Sequence, residues 1–449
     1  MLELVLALDR SPSDAHVRDE TIAIHGGYDS DGTRAVAVPI YQTVAHDFID
    51  ADHAADVFDL AVPGFHYSRI SNPTVGVLES RMAALEQGVG ALALASGAAA
   101  VRYAVRNLTS LGTSVVATPQ LYGATYTMFA HLLPEEGVEV RFATDERPES
   151  IERLIDRTTR AVFCETIGNP GGNIVDVPAV CEMAHSHGVP VIVDNTVASP
   201  VLFKPILHGA DIVVHSLTKF VGGHGTTLGG LIVDGGHFPW SENAERFPMF
   251  ATPEPSFHGV VYARDFPENA YIVRCRTVGM RNGGAALSPF NAFLLLQGLE
   301  TLHLRYERHQ VNAAAVARWL RQDRRVAWVR WSGFDDDPQH ERAQQLFGGC
   351  HPSIVTFGAA GGYAASIELF NRVKLFKRLV NLGDAKSLVS HPASTTHRQL
   401  NAEELRLAGI PPDMIRLSVG IEHIDDIIED LDQALGSGPA APPGMLSTE

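Results

Sequence analysis

The sequence predicts an α/β protein in which a mostly parallel central sheet forms a large domain and a smaller C-terminal α+β domain follows. Between Ala91 and Ser216, short runs rich in valine and alanine alternate with segments of helical periodicity. These runs are apolar at consecutive positions, which is typical of parallel strands covered on both faces. They read ALALAS, SVVATP, VEVRFAT, AVFCET, VPVIVDN and DIVVHS. After Val326, strand-like runs and helices follow without this regular alternation, which indicates the second domain.

The chain divides into three predicted regions. Residues 1–63 show no sustained periodicity and mix glycine, proline and aromatic side chains, so we expect an arm that contacts a neighbouring subunit. Residues 64–284 form the predicted large domain, in which a helix begins at Asn72-Pro73-Thr74 and ends near Gly88. Residues 285–449 form the predicted small domain, and the part from about residue 437 is expected to be disordered because it is rich in glycine and proline.

The second half of the chain has less regular patterns. After Gly230 the periodicity loosens, and the segment from Phe238 to Phe266 is rich in proline and aromatic residues, so we interpret it as an insertion. Helical patterns follow at about 288–319, about 364–381 and about 424–435. The strand-like runs VAWVRW, SIVTF and MIRLSV belong to the same part of the chain.

Composition excludes several classes of function. The formal net charge of −17 makes nucleic acid or an anionic membrane a poor partner. The four cysteines are far apart and form no CxxC pair, so we expect reduced thiols in a cytoplasmic protein and no metal site. The first residues lack the basic region of a signal peptide, and no apolar run reaches the roughly 18 residues of a membrane span.

Two charged residues follow neighbouring predicted strands. Asp194 ends one apolar run, and Lys219 comes three residues after Ser216, which ends the next. Parallel strands present their carboxyl ends at one edge of the sheet, where ligands bind, so we expect Asp194 and Lys219 at that edge. A lysine amine can form a Schiff base with pyridoxal phosphate (PLP), which also needs a carboxylate beside its pyridine nitrogen. A capping aspartate and a surface lysine are the alternative interpretations.

Other residues fit the phosphate and the ring of such a cofactor. The hydroxyls of Ser216 and Thr218 can donate to phosphate oxygens, although loop polarity also explains them. Gly97, in SGAAA, opens a predicted helix whose first amides can bind an anion, as at many ordinary strand-to-helix turns. Tyr122 follows another predicted strand, where a tyrosine can stack on a ring and transfer a proton or simply pack.

Three further side chains suggest contacts with anions. Tyr67 and Arg69 are two residues apart, so an extended segment would place both on one face, suited to phosphate oxygens. Arg416 lies in an otherwise apolar predicted strand and would be costly to bury unpaired. A substrate carboxylate or a structural salt bridge is its expected partner.

Several blocks of the sequence resemble the Cys/Met-metabolism family of fold-type I PLP enzymes. The resemblance covers about residues 18–436 and implies a fold-type I PLP transferase that forms a catalytic dimer, normally paired into a homotetramer. The blocks are YSRISNPT, LASGAAA, the GNP of ETIGNP, VDNTVASP, GADIVVHSLTKFVGGHGT, AALSPFNAFLLLQGLETL, GDAKSLVSHPASTTH and IRLSVGIEHIDDII.

The resemblance implies a role for each matching residue. Catalytic roles are implied for Lys219, which would also bind PLP, and for Tyr122, which would stack on the ring. Asp194 is implied as the partner of the pyridine nitrogen. The remaining cofactor contacts implied are Gly97, Ala98, Ser216, Thr218, Asn169 and, from the neighbouring subunit, Tyr67 and Arg69. Substrate contacts are implied for Arg416, Asn169, Asn381 and Tyr67.

Two positions depart from the family pattern. Ala98 stands where Gln or Met is common, which removes a side chain from the cofactor face. Asn381 stands where the lyase branches usually have Ser.

The insertion and the block GDAKSLVSHPASTTH are most similar to the sulfhydrylase branch of the family. This branch implies a γ-replacement in methionine biosynthesis, in which O-acetyl-L-homoserine and sulfide, or methanethiol, give L-homocysteine, or L-methionine, and acetate. Use of O-succinylhomoserine, cystathionine γ-synthesis and methionine γ-elimination stay open as alternatives. A nicotinamide-dependent enzyme would need GxGxxG in the first strand-to-helix turn, whereas GGHGTTLGG comes late in the predicted sheet.

Overall fold

The computed structural model describes residues 17–30, 32–395, 398, 405 and 409–436. The chain forms two compact units. The first consists of the chain up to Thr118, of Ala124–Thr166 and of Val175–Leu302, and the second of Pro119–Gly123, Ile167–Ile174 and the chain from His303. Two short segments of the predicted large domain, Pro119–Gly123 and Ile167–Ile174, are thus part of the second unit. The tail predicted to be disordered from about residue 437 lies outside the described residues.

The first unit is built on a seven-stranded sheet in the order β1-β7-β6-β5-β4-β2-β3. β6, β5, β4, β2 and β3 run parallel, in agreement with the predicted mostly parallel sheet. All residues of β1, β2, β6 and β7 are buried, because helices cover the sheet. The strands are β1 Gly90–Leu94, β2 Ser114–Ala117, β3 Glu139–Phe142, β4 Thr159–Glu165, β5 Val191–Asp194, β6 Ile212–His215 and β7 Gly230–Asp234.

Strand β7 was missed in the sequence, where the pattern after Gly230 was interpreted as loosening. β7 pairs antiparallel with both β1 and β6, so the expectation of parallel pairing does not hold for this edge of the sheet. The run GLIVD is apolar, but it directly follows the glycines of GTTLGG, which favour a loop interpretation.

A local signal explains where one helix of the first unit begins. Asn72 caps the helix Pro73–Glu86 by accepting a hydrogen bond from the backbone of Thr74 at 3.0 Å. The helical segments are Asp19–His25, Ala51–Phe58, Pro73–Glu86, Gly97–Arg106, Gly123–Thr127, Met128–Leu132, Leu133–Glu135, Pro148–Glu152, Val177–Ser186, Ser199–Leu202, Pro205–His208, Pro248–Ala251, Tyr262–Asp265, Ala270–Arg274, Cys275–Met280, Arg281–Gly283 and Pro289–Glu300.

The second unit contains a five-stranded sheet in the order β10-β11-β12-β9-β8. Its pairs are antiparallel except for β10 and β11, as expected for an α+β arrangement. The strands are β8 Val326–Arg330, β9 Ile354–Ala359, β10 Lys377–Arg378, β11 Leu388–Ser390 and β12 Met414–Ser418. The helical segments are Leu302–Gln322, His340–Phe347, Gly362–Arg372, Pro392–Ser394 and Ile424–Leu435. One core, which includes Val316, Leu320, Phe357 and Leu431, lies between these helices and the sheet.

Two predicted helices differ from the observed ones. The pattern at 288–319 is two helices, Pro289–Glu300 and Leu302–Gln322, because Thr301 takes a non-helical ψ of 8°. The pattern at 364–381 is a helix only to Arg372, since Val373 turns to an extended conformation with ψ of 140°. None of the helices among the described residues is both long and apolar enough to cross a membrane.

Candidate functional site

Asp194 is the last residue of β5, at the carboxyl edge of the parallel part of the sheet. Its carboxylate accepts a hydrogen bond from the backbone of Thr196 at 3.0 Å. Burial raises the pKa of this carboxyl group, while the hydrogen bonds from Thr196 and the charges of His215 and Lys219 lower it, with a net rise. A ligand that brings a positive charge, such as a protonated pyridine nitrogen, would favour the ionised carboxylate.

The segment Ser216–Lys219 leaves β6, the strand next to β5, at the same edge. The backbone of Ser216 donates to the hydroxyl of Thr196 at 2.8 Å, and the backbone of Lys219 donates to Ser216 O at 3.1 Å. Thr196 therefore connects Asp194, the last residue of β5, with Ser216, the residue after β6. It was not predicted as a site residue, although its position two residues after Asp194 in VDNTVASP was a usable signal.

The hydroxyl of Thr218 has a partner within the protein. Its oxygen accepts from the backbone of Gly229 at 3.0 Å and donates to Gly229 O at 3.3 Å. These bonds join the lysine-bearing turn to the start of β7. The proposed phosphate contact of Thr218 therefore competes with an existing pair of hydrogen bonds.

The helix Gly97–Arg106 begins directly against Ser216. A Cβ atom on Gly97 would lie 2.6 Å from the Cβ of Ser216, so only glycine allows this approach. Ser96 caps the helix by accepting from the backbone of Ala99 at 3.2 Å. The amides of Gly97 and Ala98 belong to the first turn, whose N–H groups have no acceptor within a helix and favour anions. The phosphate of PLP fits this helix start beside the hydroxyl of Ser216.

The chain contains few lysines, so few side-chain amines could form a Schiff base with PLP. The five lysines are Lys204, Lys219, Lys374, Lys377 and Lys386, of which the first two belong to the first unit. Lys204 forms an ion pair with Asp19 at 2.5 Å. Lys219, partly buried, is therefore the lysine of this unit that stands at the carboxyl edge of the sheet. The residues of the first unit fit PLP.

The second unit holds a buried guanidinium with amide partners. Arg416, in the middle of β12, is 4% exposed. Its Nη1 donates to Asn169 Oδ1 at 2.6 Å, and its Nη2 donates to the backbone oxygen of Asn381 at 2.8 Å. The structure thus brings together Arg416, Asn169 and Asn381, which the sequence implied as substrate contacts.

The charge of Arg416 is not neutralised by an ion pair within the described part of the chain. Its Nε is buried and has no hydrogen-bond partner there. Burial lowers the pKa of Arg416 to about 10, and Tyr122, another residue of the second unit, acts in the opposite direction. The salt bridge that the sequence left open is absent from these residues, so a carboxylate ligand fits the guanidinium.

Tyr122 and Tyr67 are exposed aromatic residues, and Arg69 beside Tyr67 is partly buried. The side chain of Tyr122 is 41% exposed and that of Tyr67 40%. The guanidinium of Arg69 lies 5.3 Å from the ring centroid of Tyr67, so the two side chains are adjacent as predicted. The expected extended segment is wrong, because residues 68–70 form a turn in which Ile70 donates to Tyr67 O at 2.9 Å.

No cluster of histidine, cysteine or acidic residues that could hold a metal ion occurs in residues 17–395 or 409–436 where these are described. All four cysteines have free thiols, and burial raises the pKa of the Cys164 thiol to about 12.

Comparisons with known proteins identify relatives over nearly the whole chain. The sequence profile of the Cys/Met metabolism PLP-dependent enzymes matches residues 20–436. Homocysteine synthase of Schizosaccharomyces pombe is 47% identical over 93% of this chain and 97% of its own length. O-acetyl-L-homoserine sulfhydrylase 1 of Thermus thermophilus is also 47% identical, over 93% of this chain and all of its own length (100%).

A solved structure shows the same fold. The protein of Campylobacter jejuni, assigned as an O-acetylhomoserine (thiol)-lyase, matches with a TM-score of 0.91 and 40% identity. The match covers 94% of this chain and 100% of that one. The Campylobacter protein carries N'-pyridoxyl-lysine-5'-monophosphate, in which the cofactor is attached to a lysine.

Proposed function

The chain belongs to the Cys/Met metabolism PLP-dependent enzymes, and from this premise we propose that it catalyses γ-replacement on O-acetyl-L-homoserine. Sulfide is the proposed nucleophile, and the products are L-homocysteine and acetate. The observation that supports an amino acid as the substrate is the buried Arg416, whose Nε has no hydrogen-bond partner among the described residues. The acetyl ester and sulfide follow from the names of the relatives, which are 43–47% identical to this chain.

PLP, when bound, supplies an electron sink that stabilises negative charge at the substrate carbon atoms. Lys219 is the proposed attachment point and the base that moves protons at Cα and Cβ of the substrate. Asp194 holds the positive charge of the pyridine nitrogen. The amides of Gly97 and Ala98 and the Ser216 hydroxyl hold the phosphate, and the ring of Tyr122 provides a stacking surface and a phenol for proton transfer.

Arg416 and Asn169 orient the substrate by its carboxylate. The bond between Cγ and the acetate oxygen breaks, acetate leaves with the bonding electrons, and hydrosulfide forms the new carbon–sulfur bond at Cγ. The protons that Lys219 removes return to the same substrate molecule, so the net reaction exchanges acetate for hydrosulfide. Methanethiol in place of sulfide would give L-methionine by the same steps.

Tyr67 and Arg69 are proposed to complete the site of a second copy of the chain, with the arm of residues 1–63 at that interface. Their adjacent positions and the exposure of Tyr67 support contact with a ligand bound to another copy of the chain. We propose a homotetramer made of two such dimers, in the cytoplasm.

A substrate panel tests the proposed activity. Homocysteine and methionine should be measured with the acetyl, succinyl and phosphate esters of homoserine, each combined with sulfide, methanethiol or cysteine. We expect the acetyl ester with sulfide to give the highest kcat/KM. A preference for cysteine would indicate cystathionine synthesis, a preference for the succinyl ester would reassign the donor, and release of a keto acid from methionine would indicate a lyase.

A further inference from the structure

A buried group of polar side chains lies in the first unit, outside the residues assigned above. Glu86, the last residue of the helix Pro73–Glu86, is completely buried (0% exposed). Its Oε1 accepts hydrogen bonds from Asn195 Nδ2 at 2.9 Å and from His215 Nε2 at 2.6 Å. Its Oε2 is buried and has no hydrogen-bond partner in the part of the chain that the structure describes.

The two donors stand at the ends of the strands that carry the proposed cofactor site. Asn195 directly follows Asp194, and His215 directly precedes Ser216. The backbone of Asn195 donates to Val214 O at 3.0 Å, so the two strand ends are in register. Successive side chains point to opposite faces of a strand, which places Asn195 and His215 on the face of the sheet opposite to Asp194.

The connection extends to a third strand. Thr166, which follows β4, donates its hydroxyl hydrogen to Asn195 Oδ1 at 2.8 Å. Asn195 Nδ2 also donates to Phe203 O at 2.8 Å. Asn195 therefore uses its amide oxygen and its amide nitrogen within the protein, and the Glu86 carboxylate is its link to His215.

Complete burial of a carboxylate costs free energy of folding, so stability alone does not explain Glu86. Apolar side chains of similar volume often give equal or higher stability than a buried ion pair. The carboxylate does, however, fix the geometry of its donors through short, charge-assisted hydrogen bonds. His215 also acts electrostatically on the site, because its charge lowers the pKa of Asp194.

We propose that Glu86 and His215 are positioning residues of the PLP site. Glu86 holds Asn195 and His215, and thereby fixes Asp194 and the Ser216–Lys219 turn at the separation that the cofactor needs. This inference rests on the proposed function, since it assumes that PLP binds at Asp194 and Lys219.

The strand β6 offers a matched control at its other end. Asp211, directly before β6, is 2% exposed and bonds His185 Nε2 at 2.8 Å. Asp211→Asn therefore perturbs the pair of a buried acid and an exposed histidine directly before the same strand, at the amino edge, where no proposed cofactor residue lies. His215→Gln keeps a nitrogen donor for Glu86, whereas His215→Leu removes it.

The experiment is equilibrium dialysis of the PLP-loaded enzyme, with retained cofactor followed by its visible absorbance and thermal stability measured in parallel. We expect Glu86→Gln and His215→Leu to raise the dissociation constant of PLP roughly tenfold or more, since Glu86→Gln removes the negative charge that strengthens these hydrogen bonds and His215→Leu removes one of their donors. We expect His215→Gln to stay within about threefold of wild type, and Asp211→Asn to lose thermal stability without losing PLP.

Wild-type retention of PLP by both Glu86→Gln and His215→Leu would overturn the inference. The inference would also be overturned if Asp211→Asn lost as much PLP as Glu86→Gln and His215→Leu at the same loss of thermal stability. The loss of PLP would then be a general effect of destabilising the protein. If Glu86→Gln does not fold, His215→Gln and His215→Leu still test the inference. Equal PLP retention by these two variants would overturn it. Failure of the wild-type protein to load PLP would overturn the proposed function itself.

Discussion

Arg416 is the residue on which substrate recognition is proposed to depend. Its planar guanidinium donates to Asn169 and Asn381, and its Nε faces no acceptor among the described residues. The sequence identified Arg416 because a charged residue interrupts an apolar strand. It could not identify the contact with Asn169, which lies 247 positions away along the chain. Such contacts depend on how distant segments fold together, and local periodicity carries no information about them.

Arg416→Lys should impair substrate binding more than cofactor binding. Lysine keeps the charge but cannot make the planar, forked set of hydrogen bonds. We expect kcat/KM for O-acetyl-L-homoserine to fall about 100-fold, or about 2.7 kcal/mol, with the visible absorbance of bound PLP retained. Steady-state kinetics and absorbance spectra measure both quantities.

Arg305→Lys is the control for Arg416→Lys. Arg305 is 5% exposed, and burial lowers its pKa to about 10, as for Arg416. We expect a similar loss of stability from Arg305→Lys with little change in KM. Equal kinetic losses in the two variants would contradict the role of Arg416 in binding the carboxylate.

His237 should make the stability of the protein depend on pH. Its hydrogen bond with Asp211 raises the pKa of His237 to about 9, from an ordinary value of about 6.5. Because the folded state holds the proton more tightly, the stabilising contribution is complete below about pH 6.5 and is lost as the pH rises through about 9. The difference in Tm between wild type and His237→Gln should therefore shrink over this range. A difference that stays constant with pH would show that the ion pair does not cause it.

Among the helices and strands, the proposed cofactor site depends on how closely the helix Gly97–Arg106 approaches Ser216. The sequence predicted the strands β1 to β6 and this helix from local patterns. It did not predict the antiparallel strand β7, although β7 also fixes this region. A Cβ on Gly230, the first residue of β7, would lie 2.0 Å from Ser96 O, the residue that caps the helix. Strand direction and such close approaches are set by tertiary packing, which apolar runs alone do not specify.

Gly97→Ala should weaken PLP binding by moving the helix start away from Ser216. The added Cβ would lie 2.6 Å from the Cβ of Ser216 and 2.9 Å from its Oγ, so the helix or the turn must shift. We expect the dissociation constant of PLP to rise roughly tenfold in equilibrium dialysis.

Gly76→Ala is the matched substitution in the helix Pro73–Glu86. Beyond the adjacent residues and the backbone of its own helix, no atom of the described residues lies within 4 Å of the added Cβ. Alanine also favours the helical backbone, so we expect stability to stay equal or rise by up to about 1 kcal/mol. Thermal denaturation of both variants separates the effect on the cofactor from the effect on the helix. PLP binding by Gly97→Ala at wild-type strength would show that this approach is not needed.

At the scale of the whole molecule, the proposed dimer shares its active sites between two copies of the chain. Lys219→Ala and Arg69→Ala should each be inactive alone. In a mixed dimer, one of the two sites combines an intact Lys219 from one copy with an intact Arg69 from the other. Random mixing after dissociation should therefore restore roughly a quarter of the wild-type activity. If Arg69 serves the site of its own chain, mixing would restore none.

Lys219 is proposed to carry PLP, and the small number of lysines makes a direct measurement possible. Borohydride reduction of the PLP-loaded protein, followed by proteolysis and mass spectrometry, identifies the lysine to which the cofactor is bound. We expect the pyridoxyl phosphate mass on the peptide containing Lys219 and on none of the peptides containing Lys204, Lys374, Lys377 or Lys386. The cofactor mass on one of those four lysines, or its absence from all five, would contradict this proposal.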